Sequence, residues 1–340
     1  MFSYFVRRML STLPMLIAVS VVSFLLLHAL PGDPASVLLG QRATEENKRE
    51  LRSRLGLDQP VHVQYARYVG DMAQGDFGES HRTNQPVADE LKQRIPATIE
   101  LALAAMLIAS IVGVSLGIMA AVKPRTIADF ACLSVALTGV SMPVFWLGFL
   151  VQKLFAGELK WLPFSGRLDF GAWSTFESDT GFYVLDAAFV YQNPELLFDV
   201  LTHLTLPAFV LATVPMALIA RITRATMLET LKQDYIRTAK AKGAGPAAVV
   251  IRHGLRNALI PIITAIATQF GYLLGGAVLT ETIFAWPGLG RYVIEAIDVL
   301  DARPLQASVL IIACTFIIVN LLTDLSYAFI DPRLRKRGGA

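Results

Sequence analysis

The chain has 340 residues, of which 54% are hydrophobic and 17% are charged. A soluble domain usually carries about 25% charged residues, so this composition excludes an ordinary soluble domain and indicates a polytopic membrane protein. The net charge of +3 is too small to indicate nucleic-acid binding, and the two cysteines, Cys132 and Cys314, lie in separate apolar runs that do not suggest a disulfide.

The chain begins with a predicted membrane span at residues 9–30, which is preceded by Arg7 and Arg8. Its apolar run is longer than the roughly 7–15 residues of a signal-peptide core, and no A-x-A-like cleavage site follows. We therefore predict a retained helix with its N-terminus inside. Pro31 and Pro34 end this helix, because a proline disfavours helix in the residue before it.

A polar region then continues to residue 96. Alternating charges at residues 44–55 predict one short helix, and an apolar stripe that includes Tyr65 and Tyr68 predicts another at residues 61–72. Neither helix is long enough to span a membrane. We predict that residues 1–96 contain the first transmembrane helix and part of an extracytoplasmic layer, which lies on the membrane surface or against partner chains.

Five further apolar runs are long enough to span a membrane, at residues 98–122, 127–151, 204–220, 259–280 and 305–329. Gly113 and Gly117 have the spacing that lets two membrane helices approach closely. Gly139 and Pro143 are predicted to interrupt the third span. The acidic loop at residues 153–202 and a shorter loop at residues 281–304 are predicted to lie outside.

Six spans place both termini on the same side of the membrane. The turn at Lys123 and the two tails are basic, whereas the loop after Lys153 is acidic, so the positive-inside rule places the termini in the cytoplasm. We predict an all-α polytopic membrane protein. Its transmembrane core covers residues 97–329, and a basic cytoplasmic tail covers residues 330–340.

The most informative stretch is the basic segment 229–261 between the fourth and fifth predicted spans. It predicts two short helices around a break, because Gly243 can end a helix in the left-handed conformation and Pro246 suits the first turn of the next. The first helix carries an apolar stripe, formed by Leu231, Tyr235, Ile236 and Ala239. Two interpretations remain open: a basic loop that only fixes orientation, or a hairpin that docks a soluble partner.

Sequence motifs of enzymes and nucleotide-binding proteins are absent. The sequence contains no G-x-x-x-x-G-K-[ST], no H-E-x-x-H and no CxxC, and its histidines lie apart from acidic or cysteine clusters. We predict that the chain is not itself an enzyme and holds no cofactor or metal.

The fifth span is rich in glycine, as helices that line a path often are. We predict that its path-facing residues are Gln269, Gly271, Gly275 and Gly276. The alternative for Gln269, and for Asn320 in the sixth span, is hydrogen bonding between helices. The absence of a row of carboxylates at mid-span argues against a proton-driven carrier.

Several motifs resemble those of binding-protein-dependent ABC importer permeases of the peptide and nickel subgroup. They are DYIRTAKAKG and RHGLRNALIP in the hairpin, LPGDP, LGLDQPVHVQYARYV, QGDFGES and TETIFAWPGLGR. FSGRLD and DTGFYVLDAAFVYQ in the loop at residues 164–198 resemble dipeptide permeases in particular. The hairpin has Arg237, Thr238 and Ala239 where the wider family has Glu-Ala-Ala, as is typical of the peptide subgroup.

The resemblance implies a type I importer permease fold of six transmembrane helices with an extracytoplasmic loop layer. It implies one of two permease subunits in a bacterial inner membrane, with two ATP-hydrolysing subunits and an extracytoplasmic peptide-binding protein as partners. It also implies that the hairpin docks on an ATPase. The expected contact residues are Tyr235, Ile236, Arg237, Thr238, Ala239, Lys240 and Gly243.

Other functions remain open from the sequence. Within the same class, the substrate is alternatively a nickel chelate, glutathione or an opine. Outside it, the chain is a secondary carrier that needs no ATPase, or a structural membrane scaffold. Copurification of P-loop subunits with the chain discriminates the importer from both of these.

Overall fold

The computed structural model describes residues 2–29, 44–55 and 58–330, and these residues form helices and loops without a β-strand. The predicted turn at residues 31–34 and the basic tail from residue 331 onward lie outside the described residues. An all-α architecture, as predicted from the sequence, is confirmed for the part of the chain that is described.

The α-helices in chain order are α1 (Phe2–Ala29), α2 (Glu45–Leu55), α3 (Val61–Ala73), α4 (Val87–Val122), α5 (Ile127–Ser141), α6 (Val144–Val151), α7 (Tyr183–Leu185), α8 (Pro194–Thr230), α9 (Asp234–Ala241), α10 (Arg256–Gly276), α11 (Val278–Ile283), α12 (Leu289–Asp298) and α13 (Ala302–Ile330). Three π-helical segments, Gln152–Glu158, Asp186–Val190 and Ala248–Leu255, adjoin α6, α7 and α10.

Four helical segments of the described chain are long and apolar enough to cross a membrane: Val87–Val122, Pro194–Thr230, Ala248–Gly275 and Ala302–Thr323. The pair formed by α5 and α6 with its π-helical extension becomes a fifth if it is counted as one bent span. In α1 the apolar stretch with described side chains, Met9–Leu25, is shorter. The protein is therefore polytopic. The predicted spans lie largely within its apolar helices, but α4 and α8 begin at Val87 and Pro194, well before the predicted starts at residues 98 and 204.

The third predicted span is interrupted near Pro143, as predicted. The chain bends by 101° between residues 141 and 144, so α5 and α6 run in different directions. Pro143 causes the break, because it precedes the first residue of α6 with an extended backbone that a helix cannot contain. Gly139 does not interrupt α5. Its missing side chain instead admits Thr213 of α8, whose Cβ lies 2.6 Å from where a Cβ on Gly139 would stand.

Helix α8 lies at the centre of the bundle, packed against α4, α5 and α10. In its apolar stretch 78% of the residues are buried, compared with 28% in that of α13. The predicted close approach at Gly113 and Gly117 is confirmed, since a Cβ at Gly117 would stand 2.5 Å from the Cβ of Thr223. Helices α4 and α8 therefore form one tightly packed unit that organises the rest.

The short helix α3 packs against α1, and α1 in turn contacts α13. The Tyr68 hydroxyl donates to Ser23 Oγ at 3.0 Å, and the Ser23 hydroxyl donates to the carbonyl of Gln306 at 2.7 Å. Tyr65 and Tyr68 both lie against the ring of Phe24. The stripe predicted on α3 thus faces the first helix.

Candidate functional site

The first arm of the hairpin is α9, and it ends where the sequence predicts. Gly243 has a φ of +84°, the left-handed conformation in which a side chain is strained. Its N–H donates to the carbonyl of Lys240, and the N–H of Ala244 donates to the carbonyl of Ala239. These two hydrogen bonds close the last turn of α9. The turn therefore pairs the carbonyls of Ala239 and Lys240 near the end of α9.

The apolar stripe of α9 packs mainly inside the chain. Ile236 is fully buried and Ala239 is 9% exposed, whereas Tyr235 keeps 41% of its surface. The expectation that Ile236 touches a partner is therefore not supported, because its side chain is covered by the chain's own residues. The exposed side chains on this arm include those of Tyr235, Arg237, Thr238 and Lys240.

The second arm differs from the predicted short helix. Helical structure starts at Pro246, as predicted, but the π-helical segment Ala248–Leu255 continues directly into α10. No residue between Leu255 and Pro261 stops the helix, because Pro261 lies inside α10 and not at its end. The hairpin is thus a direct extension of a membrane-crossing helix.

An ion pair fixes the turn between α4 and α5, which lies at the same end of the molecule as the hairpin. Arg224 of α8 donates from Nε and Nη2 to the two carboxylate oxygens of Asp129, each at 2.6 Å. The N–H of Arg125 donates to the same carboxylate at 2.9 Å. The fork of two parallel bonds is the strongest geometry for this pair of side chains, so the turn at Lys123 is tied to α8.

The residues predicted to face a path differ in burial. Gly271 is buried against α13, where a Cβ would stand 3.1 Å from the ring of Phe316, so it allows close helix packing there. Gly275 is exposed and Gln269 is half-buried. Gly276 ends α10, and its surroundings lie outside what the structure describes.

At the opposite end of α8, a buried carboxylate joins three helices. The Thr98 hydroxyl donates to Glu281 Oε1 at 2.7 Å, and the N–H of Arg291 donates to Oε2 at 2.9 Å. Thr98 also accepts a hydrogen bond from the N–H of Leu289 at 2.8 Å. Burial raises the pKa of the Glu281 carboxyl above its ordinary value. This group connects α4, α11 and α12.

The turn Trp286-Pro287-Gly288-Leu289-Gly290 packs against the same carboxylate. The Trp286 indole is fully buried and donates to the carbonyl of Ala97 at 2.8 Å. A Cβ on Gly288 would stand 2.3 Å from the Glu281 carboxylate. The tryptophan of this turn is thus enclosed by protein.

Arg167 brings the loop between α6 and α8 onto α4. It donates to Glu100 at 2.5 Å and to the carbonyl of Gly181 at 3.1 Å. Its guanidinium carbon lies 3.6 Å from the centre of the Tyr183 ring, within range of a cation–π contact. We call the set formed by Ala97, Thr98, Glu100, Arg167, Glu281 and Trp286 the polar hub.

The loop attached to the hub is itself ordered by a buried carboxylate. Asp186 is fully buried and accepts from the hydroxyls of Ser178 and Thr180, and from the Thr180 N–H at 3.2 Å. Asn193 caps α8 by accepting from the N–H groups of Glu195 and Leu196. The predicted loop at residues 153–202 is therefore shorter than expected, because its last residues belong to α8.

Chemistry for catalysis or metal binding is not evident in the described residues. Among them there is no group of three or more histidine, cysteine or acidic side chains placed to hold a metal ion. The hub instead consists of buried groups that hydrogen-bond to one another, which suits positioning of helices.

Glu100 and Asp129, the carboxylates that form ion pairs at the two ends of the bundle, were not predicted as site residues. Glu100 and Asp129 lie inside two of the predicted apolar spans, at residues 98–122 and 127–151, and an ionisable group within a span usually marks a functional position. That signal could have identified both. Arg167 had no comparable signal, because it lies in a polar loop.

The chain was compared with known proteins. Residues 113–336 match the family described as binding-protein-dependent transport system inner membrane component, and residues 1–102 match its N-terminal component. The dipeptide transport system permease protein DppB of Alkalihalophilus pseudofirmus is 46% identical over 335 residues, which cover 98% of this chain and 100% of that protein. The di/tripeptide transport system permease protein DppB of Pseudomonas aeruginosa is 45% identical, over 98% and 99% of the two chains. The glutathione transport system permease protein GsiC of Salmonella paratyphi A is 38% identical, also over 98% and 99%.

Proposed function

The chain belongs to the binding-protein-dependent transport system inner membrane components, and from this membership we propose that it forms half of the membrane path for dipeptides or other short peptides. It is a multi-pass permease subunit of a peptide ABC importer and not an enzyme. The observation that supports dipeptides is similarity to dipeptide permeases along nearly the whole length of both chains. Glutathione is the second candidate, because a glutathione permease is similar over the same length.

The proposed partners are a second permease subunit, two ATP-hydrolysing subunits and an extracytoplasmic peptide-binding protein. We assign ATPase docking to the hairpin. Its open face carries the side chains of Tyr235, Arg237, Thr238 and Lys240, and Gly243 forms its tip. Ile236 and Ala239 contribute indirectly, because their burial holds α9 at a fixed angle to the second arm of the hairpin.

The proposed mechanism is alternating access driven by the ATPases. When the ATPases close, they move the hairpin, and the motion reaches α10 because the second arm continues into that helix. The α4–α8 pair moves with it, since α8 leads directly into α9 through residues 231–233. Peptide delivered by the binding protein then enters between the two permease subunits. On α10 we assign Gln269, Gly275 and Gly276 to the path.

The proposed arrangement places residues 1–96 in the first helix and outer layer, residues 97–329 in the transport core and residues 330–340 in a basic cytoplasmic tail. It also places both termini and the hairpin in the cytoplasm. A Lys242→Cys variant tests this, because Lys242 is exposed beside the turn of the hairpin. We expect a membrane-impermeant thiol reagent to label it only in opened cells, and labelling in intact cells would refute the arrangement.

Substrate and partners are tested together in the bacterium that carries the gene. We expect its deletion to abolish uptake of labelled dipeptide and a plasmid copy to restore it, while uptake of labelled nickel stays unchanged. Loss of glutathione uptake with intact dipeptide uptake would favour the second candidate. The tagged chain should copurify with two P-loop subunits, and their absence in a sample that retains transport would refute the importer.

A further inference from the structure

The ion pair between Arg167 and Glu100 is buried on both sides, with 3% and 6% of the side-chain surfaces exposed. Such a pair does little for stability, because desolvation of the two charges offsets most of their attraction. Arg167 Nε is also buried and has no hydrogen-bond partner among the described residues, which adds a further cost. Stability alone therefore does not account for two charges at this position.

Glu100 holds the loop between α6 and α8 at two points. One carboxylate oxygen accepts from Arg167, and the other accepts from the N–H of Val184 at 2.8 Å. Between these points Arg167 also bonds the carbonyl of Gly181, and Asp186 fixes Ser178 and Thr180. The segment 167–186 is therefore an internally fixed unit that is hydrogen-bonded to α4 through the Glu100 carboxylate and packs on Pro96 of the same helix through Gly181.

From Glu100 a packed route leads to the hairpin. Glu100 lies on α4, and α4 is in close contact with α8 at Gly113 and Gly117. Helix α8 has 37 residues, which corresponds to about 55 Å, and its last turn leads into the hairpin. A displacement of the loop at one end thus has a continuous path to the ATPase-docking end.

We propose that the Arg167–Glu100 pair is the positioning contact through which docking of the binding protein on the loop stimulates ATP hydrolysis by the partner subunits. This inference rests on the proposed function. The binding protein touches the loop at residues 159–193, where Trp161, Phe164 and Phe170 are largely exposed. When the loop is displaced, Arg167 moves Glu100 and with it α4 and α8. The buried ion pair leaves the loop and α4 little freedom to move relative to each other.

The experiment uses the purified transporter with all its subunits, with ATP hydrolysis measured with and without peptide-loaded binding protein. We expect E100Q to keep basal hydrolysis within about twofold and to lower the stimulated increment about tenfold, a typical effect of losing coupling between two sites. R167K should act in the same direction, because lysine keeps the charge but loses the stacked, forked guanidinium.

Two matched variants separate coupling from simple folding. D89N makes the same chemical change on α4 at the exposed pair Asp89–Lys92, and it should leave stimulation unchanged. D186N weakens the inside of the loop but spares the attachment to α4, so it should keep most of the stimulation. A loss in D186N as large as in E100Q would overturn the proposal in favour of a general need for loop order.

If E100Q does not assemble, the double variant E100Q/R167Q replaces the ion pair with a neutral hydrogen-bonding pair, and the same measurement applies. Normal stimulation in E100Q or in the double variant, beside a stimulated wild type, would overturn the positioning role alone. A wild-type complex without any stimulation would overturn the proposed function and this inference together. The two failures are therefore distinguishable.

Discussion

The polar hub and the hairpin lie at opposite ends of α8 and differ in how their side chains are paired. At the hub, Glu100, Arg167 and Glu281 are buried and are bonded by groups of the same chain. At the hairpin, Tyr235, Arg237 and Lys240 are exposed, whereas the interior residue Ile236 is fully covered. The hub is thus complete within one chain, whereas the hairpin presents a surface that a partner can cover.

The two ends of α8 therefore depend on different interactions: hydrogen bonds between buried groups at the hub, and exposed charges at the hairpin. Buried polar groups at the hub require their partners, because an unpaired donor or acceptor costs about 1–3 kcal/mol. Exposed charges at the hairpin contribute little to the stability of the chain itself. Changes that leave a hub group unpaired should therefore affect folding in addition to any effect on coupling, whereas changes at the open face of the hairpin should act on assembly.

The largest effect on stability is expected where α4 packs against α8, the helix that connects the hub end to the hairpin. Gly117→Ala places a Cβ 2.7 Å from the carbonyl oxygen of Ala220, so a backbone must shift at a cost of about 1–3 kcal/mol. We expect a lower thermal unfolding temperature of the purified protein. Gly70→Ala in α3 is the control, because no atom lies within 4 Å of its Cβ position. Equal unfolding temperatures for both variants would show that the helices are not in close contact.

The next effect concerns the open face of the hairpin. Tyr235→Ala removes an exposed aromatic side chain, the type that often dominates binding, and should weaken recovery of ATPase subunits with the tagged chain roughly tenfold. The unfolding temperature should not change. Phe198→Ala, which removes a ring that is 71% exposed near the other end of α8, should leave the recovery unaltered. Full ATPase recovery with Tyr235→Ala would assign docking to another surface.

A pH effect is expected at the hub. Folding favours the protonated form of Glu281, because burial raises its pKa above the ordinary value of 4.5. Its contribution to stability is therefore complete below that value and declines as the pH rises through the raised pKa. We expect the difference in unfolding temperature between wild type and E281Q to become less favourable to wild type with rising pH. A difference that is independent of pH would contradict this.

The smallest effect is expected at the turn of the hairpin. Gly243→Ala meets no atom within 4 Å, but it strains a φ of +84°, at a cost of about 1 kcal/mol. Gly245→Ala has equal space and no positive φ, so it serves as the control. Faster proteolytic cleavage between α9 and residue 246 in the first variant alone would support the assigned conformation. Equal cleavage in both would count against it.

Much of the fold could be predicted from the sequence, because those features depend on short stretches of neighbouring residues. The positions of the apolar helices, the close approach at Gly117 and the turn at Gly243 each depend on a few neighbouring residues. The bend after α5 was only partly predicted. Proline marked an interruption there, but its angle depends on the packing of α6 against α8 and α11.

The hub was not predictable in the same way. Glu100 and Arg167 are 67 residues apart, and Thr98 and Glu281 are 183 residues apart. Nothing local indicates which carboxylate meets which donor. The burial of Ile236 was also hidden, because an apolar stripe looks the same whether it faces a partner or the chain's own second arm.

The burial of α8 has a consequence for how the protein is made. This helix leaves the ribosome before α10 and α13 exist, yet most of its apolar stretch is enclosed in the finished bundle. Helices α4, α5 and α6 precede α8 and are available to cover it at first, so the newly inserted chain can form the α4–α8 pair early and add the later helices to it. Lipid must shield the remaining face of α8 in the meantime, which makes that interval the point at which membrane quality control would recognise a faulty copy.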